Sequence, residues 1–311
     1  MKILITGGAG FIGSTIVRAC LEANHQVVVL DNLSRGKREN LPEEVPLYVV
    51  DIRDARQLQE IFEREQPEIV SHHAALASVR ESAQLPELYW NVNVHGTANV
   101  IRALTPSVRK LIFASSGGAI YGSAANLPLN EDSPTRPISP YGESKLQAER
   151  LLLENALPPT VILRYGNVYG PGQDPLGNNG VISIFARAFF CGERPVLFGD
   201  GSQIRDYIFV KDVARANLLA LADVHGIFNI ASGKGFGLLQ IYRMIANEIN
   251  PNVEPEFKPS FAFEVKANVL DISRARKILG WEPQVYFERG LRLTLEAIAV
   301  QIQPSAPILH V

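Results

Sequence analysis

The stretch "TGGAGFIG", residues 6–13, constrains this chain more than any other. It places Gly7, Gly10 and Gly13 directly after an apolar run, "KILIT", and at the start of an amphipathic one. Gly7 permits a tight turn out of a strand, Gly10 lets a pyrophosphate approach the backbone, and Gly13 allows a helix to pack closely on the sheet. A glycine triplet alone is weak, but "QVVVLD" follows and ends in Asp31. A carboxylate about 20 residues beyond such a turn takes the hydroxyls of an adenosine ribose and repels a 2′-phosphate. The expected cofactor is therefore NAD rather than NADP. Phe11, Ile12 and Asn32 flank these positions and join the cofactor-binding set. "VVDIRD" adds Asp51 and Ile52 at the end of a third strand, where they would flank the adenine; Asp51 reads equally as a helix-capping residue.

The rest of the first half repeats the alternation. "LYVVD", "EIVSHHA", "KLIFAS" and "TVILRYG" read as buried strands, and 11–23, 55–66, 86–104 and 141–155 as helices. Alternation of this kind predicts an α/β fold, a doubly wound parallel sheet covered on both faces. After "GNVYGPGQDPLGNNG", a loop by composition, the pattern is mixed. "RDYIFV" and "GIFNIA" read as strands; "KDVARANLLALADV", "LLQIYRMIANEIN", "DISRARKILG" and roughly 287–303 read as helices, with "PSAPILHV" as a loose tail. The expected division is a dinucleotide-binding domain over 1–170, to which segments of about 205–237 partly return. A smaller, interleaved domain over 171–311 would mainly hold substrate.

With 46% hydrophobic residues and a formal net charge of −2 spread along the chain, no nucleic-acid surface is expected. Cys20 and Cys191 form no metal or redox spacing, and no run of 18 apolar residues suggests a membrane span. The expectation is a cytoplasmic protein with reduced thiols. His72 and His73, adjacent on a strand, point to opposite faces, so no metal site is expected.

"SPYGESK" puts Tyr141 and Lys145 one helical turn apart, on one face. A phenol titrates at about 10 and is a poor base at neutral pH unless a neighbouring ammonium favours its ionised form. Behind a dinucleotide fingerprint this pair is a candidate catalytic acid/base. From here the resemblance is plain. "TGGAGFIGS", "HHAALASVRES", "NVNVHGT", "SSGGAIYG", "SPYGESK", "LRYGNVYGPGQ" and "FGDGSQIRDYIFVKDVA" follow in order, and the chain resembles the extended short-chain dehydrogenases/reductases, within them the UDP-glucose 4-epimerases.

The resemblance implies a Rossmann domain and a homodimer. It also implies that NAD takes and returns the C4 hydride of a UDP-sugar while Tyr141 handles the 4-hydroxyl proton. It places Ala74 and Asn93 with the cofactor set, Asn93 supporting Tyr141 and Lys145 or serving only as a polar helix residue. Asn167 would contact the diphosphate and Arg205 the nucleotide, unless Arg205 pairs with Asp206 or Asp212. Leu197 and Phe198 would lie near the uracil, and Ser78 and Val79 beside the sugar.

Three departures stand out. Gly117 occupies the place of a usual serine or threonine, leaving Ser116, a backbone N–H or a water to fill that role. Residues 117–120 contain no acidic group, which disfavours the elimination chemistry of related dehydratases and decarboxylases. Phe261 replaces an arginine expected on the diphosphate, with Lys258 or Lys266 as substitutes. The competing expectations are a related dehydratase, decarboxylase or reductase, an epimerase of another sugar nucleotide, and a non-catalytic NAD-binding module.

Overall fold

The structure, a computed structural model, describes residues 1–311 except 124, 125, 156, 157, 178, 262 and 303–311. The expected tail "PSAPILHV" lies outside the described residues. The first half runs β1 (Lys2–Thr6), α1 (Phe11–Glu22), β2 (Gln26–Asp31), β3 (Leu47–Val49), α2 (Ala55–Glu65), β4 (Ile69–His72), α3 (Val79–Gln84), α4 (Pro86–Trp90) and α5 (Gly96–Ala103). It continues through β5 (Lys110–Ser116), α6 (Gly117–Ile120), α7 (Pro140–Glu154), β6 (Thr160–Tyr165) and β7 (Asn167–Tyr169). Then come α8 (Val181–Phe190), β8 (Val196–Phe198), β9 (Ile204–Phe209), α9 (Val210–Leu219), β10 (Gly226–Ile230), β11 (Gly235–Gly237), α10 (Leu238–Ile249), β12 (Glu256–Lys258) and α11 (Phe287–Ile302).

Seven strands form one parallel sheet in the order β10-β6-β5-β4-β1-β2-β3. Burial on both faces explains why these strands read as continuous apolar runs rather than alternations. Strand order reverses between β1 and β4, and ligands of such sheets bind at that switch point, beyond the carboxyl ends of the strands. Those ends carry Thr6, Asp31, His72, Ser116 and Tyr165. The helices follow local rules. Asp54 caps α2 by accepting from the Gln57 N–H at 3.0 Å, and Leu58, Ile61 and Phe62 form its buried stripe. Ser139 caps α7, with Pro140 in its first turn.

Two expected helices are interrupted. The reading of 86–104 as one helix gives α4, a π turn at Asn91–His95, and α5. The widened turn lets the Asn93 side-chain amide bond Leu76, while Thr97 Oγ1 donates to the Asn93 carbonyl at 2.6 Å. "DISRARKILG" is likewise a short turn ending in a π turn, Ala275–Leu279, closed by Gly280 at φ +62°.

The second lobe is built from a three-stranded sheet, β11-β9-β7, and a parallel pair, β12-β8. Its aromatic core gathers Tyr169, Phe185, Tyr207, Phe209, Tyr242 and Phe287 among α8, α10 and α11. Between this lobe and the switch point of the first sheet lies a cavity of about 1300 Å³. That exceeds the roughly 300–1,000 Å³ of ordinary small-ligand pockets, so two ligands have room side by side.

Candidate active site

One end of the cavity is a dinucleotide cradle. Gly7 turns at φ +69°, and a Cβ there would strike the Ala74 backbone nitrogen at 2.6 Å. A Cβ on Gly13 would lie 2.2 Å from the Gly7 carbonyl oxygen. Each glycine is thus required by a close approach. Gly10 caps α1 with no side-chain bond, and a Cβ there would meet only the Gly7 oxygen, at 3.3 Å. The first N–H groups of α1 therefore face open space lined by Gly10, Phe11, Ile12 and Gly13. A pyrophosphate fits that chemistry. Asp31 Oδ2 accepts from the Ala9 N–H at 3.0 Å and Oδ1 from the Leu33 N–H at 2.9 Å. These bonds leave lone pairs on both oxygens for ribose hydroxyls. Burial pushes the Asp31 carboxyl up and the two N–H bonds hold it down.

Asn32, Asp51, Ile52 and Ala74 line the same end. Asp51 accepts from Asn32 Nδ2 at 2.7 Å and takes Arg53 in a fork, which pulls its carboxyl down to about 2 against burial. Asp54, not Asp51, is the helix cap. Asn93 lies elsewhere. It is buried, does not line the cavity, and spends its amide on the Leu76 N–H and carbonyl and on Ser144 Oγ at 2.9 Å. Its placement among the cofactor contacts is therefore corrected: it ties α7 to the segment after β4. His72 is held between Thr6 Oγ1 and Thr97 Oγ1, at 2.6 and 2.9 Å, and burial keeps its ring well below the ordinary imidazole range.

At the centre of the cavity, the first turns of α7 present Tyr141 and Lys145 toward the end of β5. Burial raises the Tyr141 phenol, and the Ser116 hydroxyl beside it holds it down. Lys145 is buried, its ammonium 4.1 Å from the centroid of the Phe113 ring. Burial lowers it to about 7, opposed by the charge of Glu149. The sequence reading expected Lys145 to draw the phenol down. In the chain itself that pull comes from Ser116, because Lys145 rests on Phe113 and is itself weakened by burial.

Position 117 proves to be turned away. A Cβ on Gly117 would meet Leu270 Cδ1 at 2.5 Å and the Arg164 carbonyl at 3.2 Å, whereas Ser116 and Gly118 line the cavity. Among residues 115–118, Ser116 is the hydroxyl-bearing side chain that faces Tyr141.

The far end is lined by Ser78, Val79, Asn167, Val196, Phe198, Arg205 and Phe261. Ser78 Oγ caps α3 by accepting from the Glu81 N–H at 3.3 Å. Leu197 is a correction. It is fully buried in the aromatic core, because alternation along β8 turns Val196 and Phe198 to the cavity and Leu197 away. Arg205 pairs with neither Asp206 nor Asp212. Asp206 is committed to Ser232, Gly233 and Leu270, and Asp212 to Gln284, Val285 and Arg215. Arg205 Nη1 instead donates to the Ile204 carbonyl, at 2.9 Å. Neither Lys258 nor Lys266 lines the cavity, and Lys258 pairs with Glu256 at 3.4 Å.

Sequence reading missed Arg80, Gln203 and Glu264, which also line this end. It also missed Glu149 and Arg164, a buried pair at 2.7 Å beneath the centre. Glu149 additionally accepts from Ser115 Oγ, so it clamps α7 to the strand that ends in Ser116. A signal was present: Arg164 interrupts an otherwise apolar strand, and a charge there requires a buried partner.

Residues 3–231 match the NAD dependent epimerase/dehydratase family. The UDP-glucose 4-epimerase of Mycolicibacterium smegmatis is 39% identical over 307 residues, covering 95% of this chain and 98% of that protein. The crystal structure of UDP-glucose 4-epimerase from Thermotoga maritima, with UDP-glucose, superimposes with a TM-score of 0.95 at 40% identity, over 97% of this chain and 100% of that one. The Thermus thermophilus UDP-glucose 4-epimerase in complex with NAD gives 0.90 at 41% identity, over 96% and 99%. A glycine cradle, a carboxylate closing the second strand, and a half-buried Tyr141 one turn from a buried Lys145, together with likeness across nearly the full length, lead to one conclusion: the chain belongs to the NAD dependent epimerase/dehydratase family.

Proposed function

We propose that the chain is an NAD-dependent nucleotide-sugar 4-epimerase that interconverts UDP-galactose and UDP-glucose through a 4-keto sugar. The observation that carries this reading is the position of Tyr141 and Ser116. They stand where the dinucleotide cradle opens into a second lobe lined by Phe198, Arg205 and Phe261. When bound, NAD supplies the acceptor and the returning donor of the hydride at sugar C4. Tyr141 exchanges the proton of the 4-hydroxyl, Ser116 relays or steadies that proton, and Lys145 would hold the nicotinamide ribose. Asp31 holds the adenosine ribose, and the N–H groups of α1 hold the pyrophosphate. Arg205 and Asn167 bind the sugar nucleotide. No carboxylate occurs at 117–120 to serve as an elimination acid, which supports epimerisation over dehydration.

The same reading divides the chain into a cofactor unit over 1–170 and a mainly substrate-binding unit over 171–311. The return of β10 to the first sheet supports the interleaving. A homodimer through α4 and α7 is supported by Trp90 and Leu153, large apolar side chains left exposed there. A cytoplasmic location is in keeping with free cysteines and with no helix among the described residues long and apolar enough to cross a membrane. The test is product analysis by NMR after incubation with UDP-galactose, UDP-N-acetylgalactosamine and UDP-glucuronate. Epimerised UDP-galactose is expected. Dehydrated or decarboxylated product, or release of stoichiometric NADH, favours the rival chemistry.

A further inference from the structure

The lysine and arginine side chains lining the cavity differ in how they are partnered. At the adenosine end Arg35 pairs with Glu81, Lys37 with Asp174 at 3.8 Å and Arg53 with Asp51 at 2.8 Å. Lys145 rests on Phe113. At the far end neither Arg80 nor Arg205 makes an ion pair among the described residues. Glu264, on the same wall, acts electrostatically on both, so one carboxylate faces two guanidiniums and the wall stays net positive.

Arg80 is also held in an unusual way. It projects from α3 of the first lobe, and its guanidinium carbon lies 3.6 Å from the Phe261 ring centroid and 4.2 Å from that of Phe198. The two rings belong to the second lobe and sit 4.1 Å apart. The contact therefore spans the cavity. An aromatic face attracts a cation without consuming its N–H groups, which lie in the guanidinium plane. Arg80 is thus oriented while its donors make no hydrogen bond among the described residues. Two guanidiniums on one wall, Arg80 with no hydrogen bond among the described residues and Arg205 giving one N–H to the Ile204 carbonyl, match a doubly charged anion, and guanidinium forks suit phosphate oxygens.

We propose that Arg80 is a substrate-binding residue that, with Arg205, takes the diphosphate of the sugar nucleotide, backed by the Phe198–Phe261 ring pair. The proposal rests on the sugar-nucleotide reading above. Phe261 supports the guanidinium instead of supplying one, and the charge comes from α3.

The test measures binding of UDP and of uridine to the NAD-loaded enzyme by calorimetry, in the wild type, Arg80→Met, Arg80→Lys and the double variant Arg80→Met/Phe261→Arg. NAD content and melting temperature confirm that each variant is folded. UDP should weaken about tenfold to a hundredfold in Arg80→Met, the worth of a charged hydrogen bond, while uridine is unchanged. Arg80→Lys should lose less. The double variant should recover much of the loss, because Phe261 lies beneath the same volume. Unchanged UDP binding in Arg80→Met overturns the proposal. So does equal weakening of UDP and uridine, which would make Arg80 only a prop for the rings. Because binding needs no turnover, a wild-type enzyme that binds UDP but epimerises no sugar sinks the activity reading alone. A wild type that binds neither ligand overturns both.

Discussion

Tyr141 shows what a motif conveys and what only its surroundings add. Its spacing from Lys145 was legible, but the side chain that opposes burial at the phenol is Ser116, and Lys145 is parked on Phe113. Tyr141→Phe should lower kcat by about 10²-fold or more, the usual worth of a positioned acid/base, with NAD retained. Ser116→Ala should lower kcat less, and its size, read in the same assay, measures the hydroxyl's share. Gly117→Ser should not add a hydroxyl to the site, since its Cβ points at Leu270; it should destabilise by about 1–3 kcal/mol through overpacking, read by urea denaturation. Lys145 also carries a pH signature. Its folded pKa is about 7 against an ordinary 10.5, so between those values the unfolded chain binds more protons and stability rises with pH. In cofactor-free protein the wild type should gain on Lys145→Met over that window, by up to about 1.4 kcal/mol per pKa unit of difference. Urea midpoints that run parallel with pH would contradict this.

Element by element, the strands of the parallel sheet were legible because they are continuous apolar runs, whereas the three-residue strands β7, β8, β11 and β12 were not, and β7 lies in the stretch that composition marks as a loop. A strand as short as β8 is too brief to show alternation in sequence, so nothing there separates the inward Leu197 from the cavity-facing Phe198. Leu197→Ala should cost about 2–5 kcal/mol of stability with KM little changed, whereas Phe198→Ala should raise KM for the sugar nucleotide. Steady-state kinetics beside denaturation separates the two. The π turn at Asn91–His95 was illegible because helical periodicity continues through it and only the tertiary bond of Asn93 to Leu76 opens it. Below α7 the Glu149–Arg164 pair is nearly solvent-free. Glu149→Gln should cost about 3–5 kcal/mol, the penalty of stranding one buried charge, with Arg164→Met in the same chain restoring part of it.

For the whole molecule, the parallel sheet and the cradle could be argued from residues close in sequence, because turn, helix and carboxylate lie within one βαβ unit. The far wall could not: Arg80, Phe198, Arg205, Phe261 and Glu264 come from separate segments of two lobes and meet only in the folded chain. Trp90 and Leu153, exposed on α4 and α7, lead to the expectation of a dimer in light scattering at micromolar concentration, and a monomer there would remove that face as an interface. All these parts converge on reversible oxidation at one sugar carbon. NMR of UDP-galactose incubated with the purified enzyme tests this most directly, with absorbance at 340 nm followed in the same tube. The account predicts conversion to a stable mixture with UDP-glucose and no net NADH. No epimer after prolonged incubation with the folded, NAD-loaded enzyme, or NADH accumulating in step with substrate loss, would contradict it.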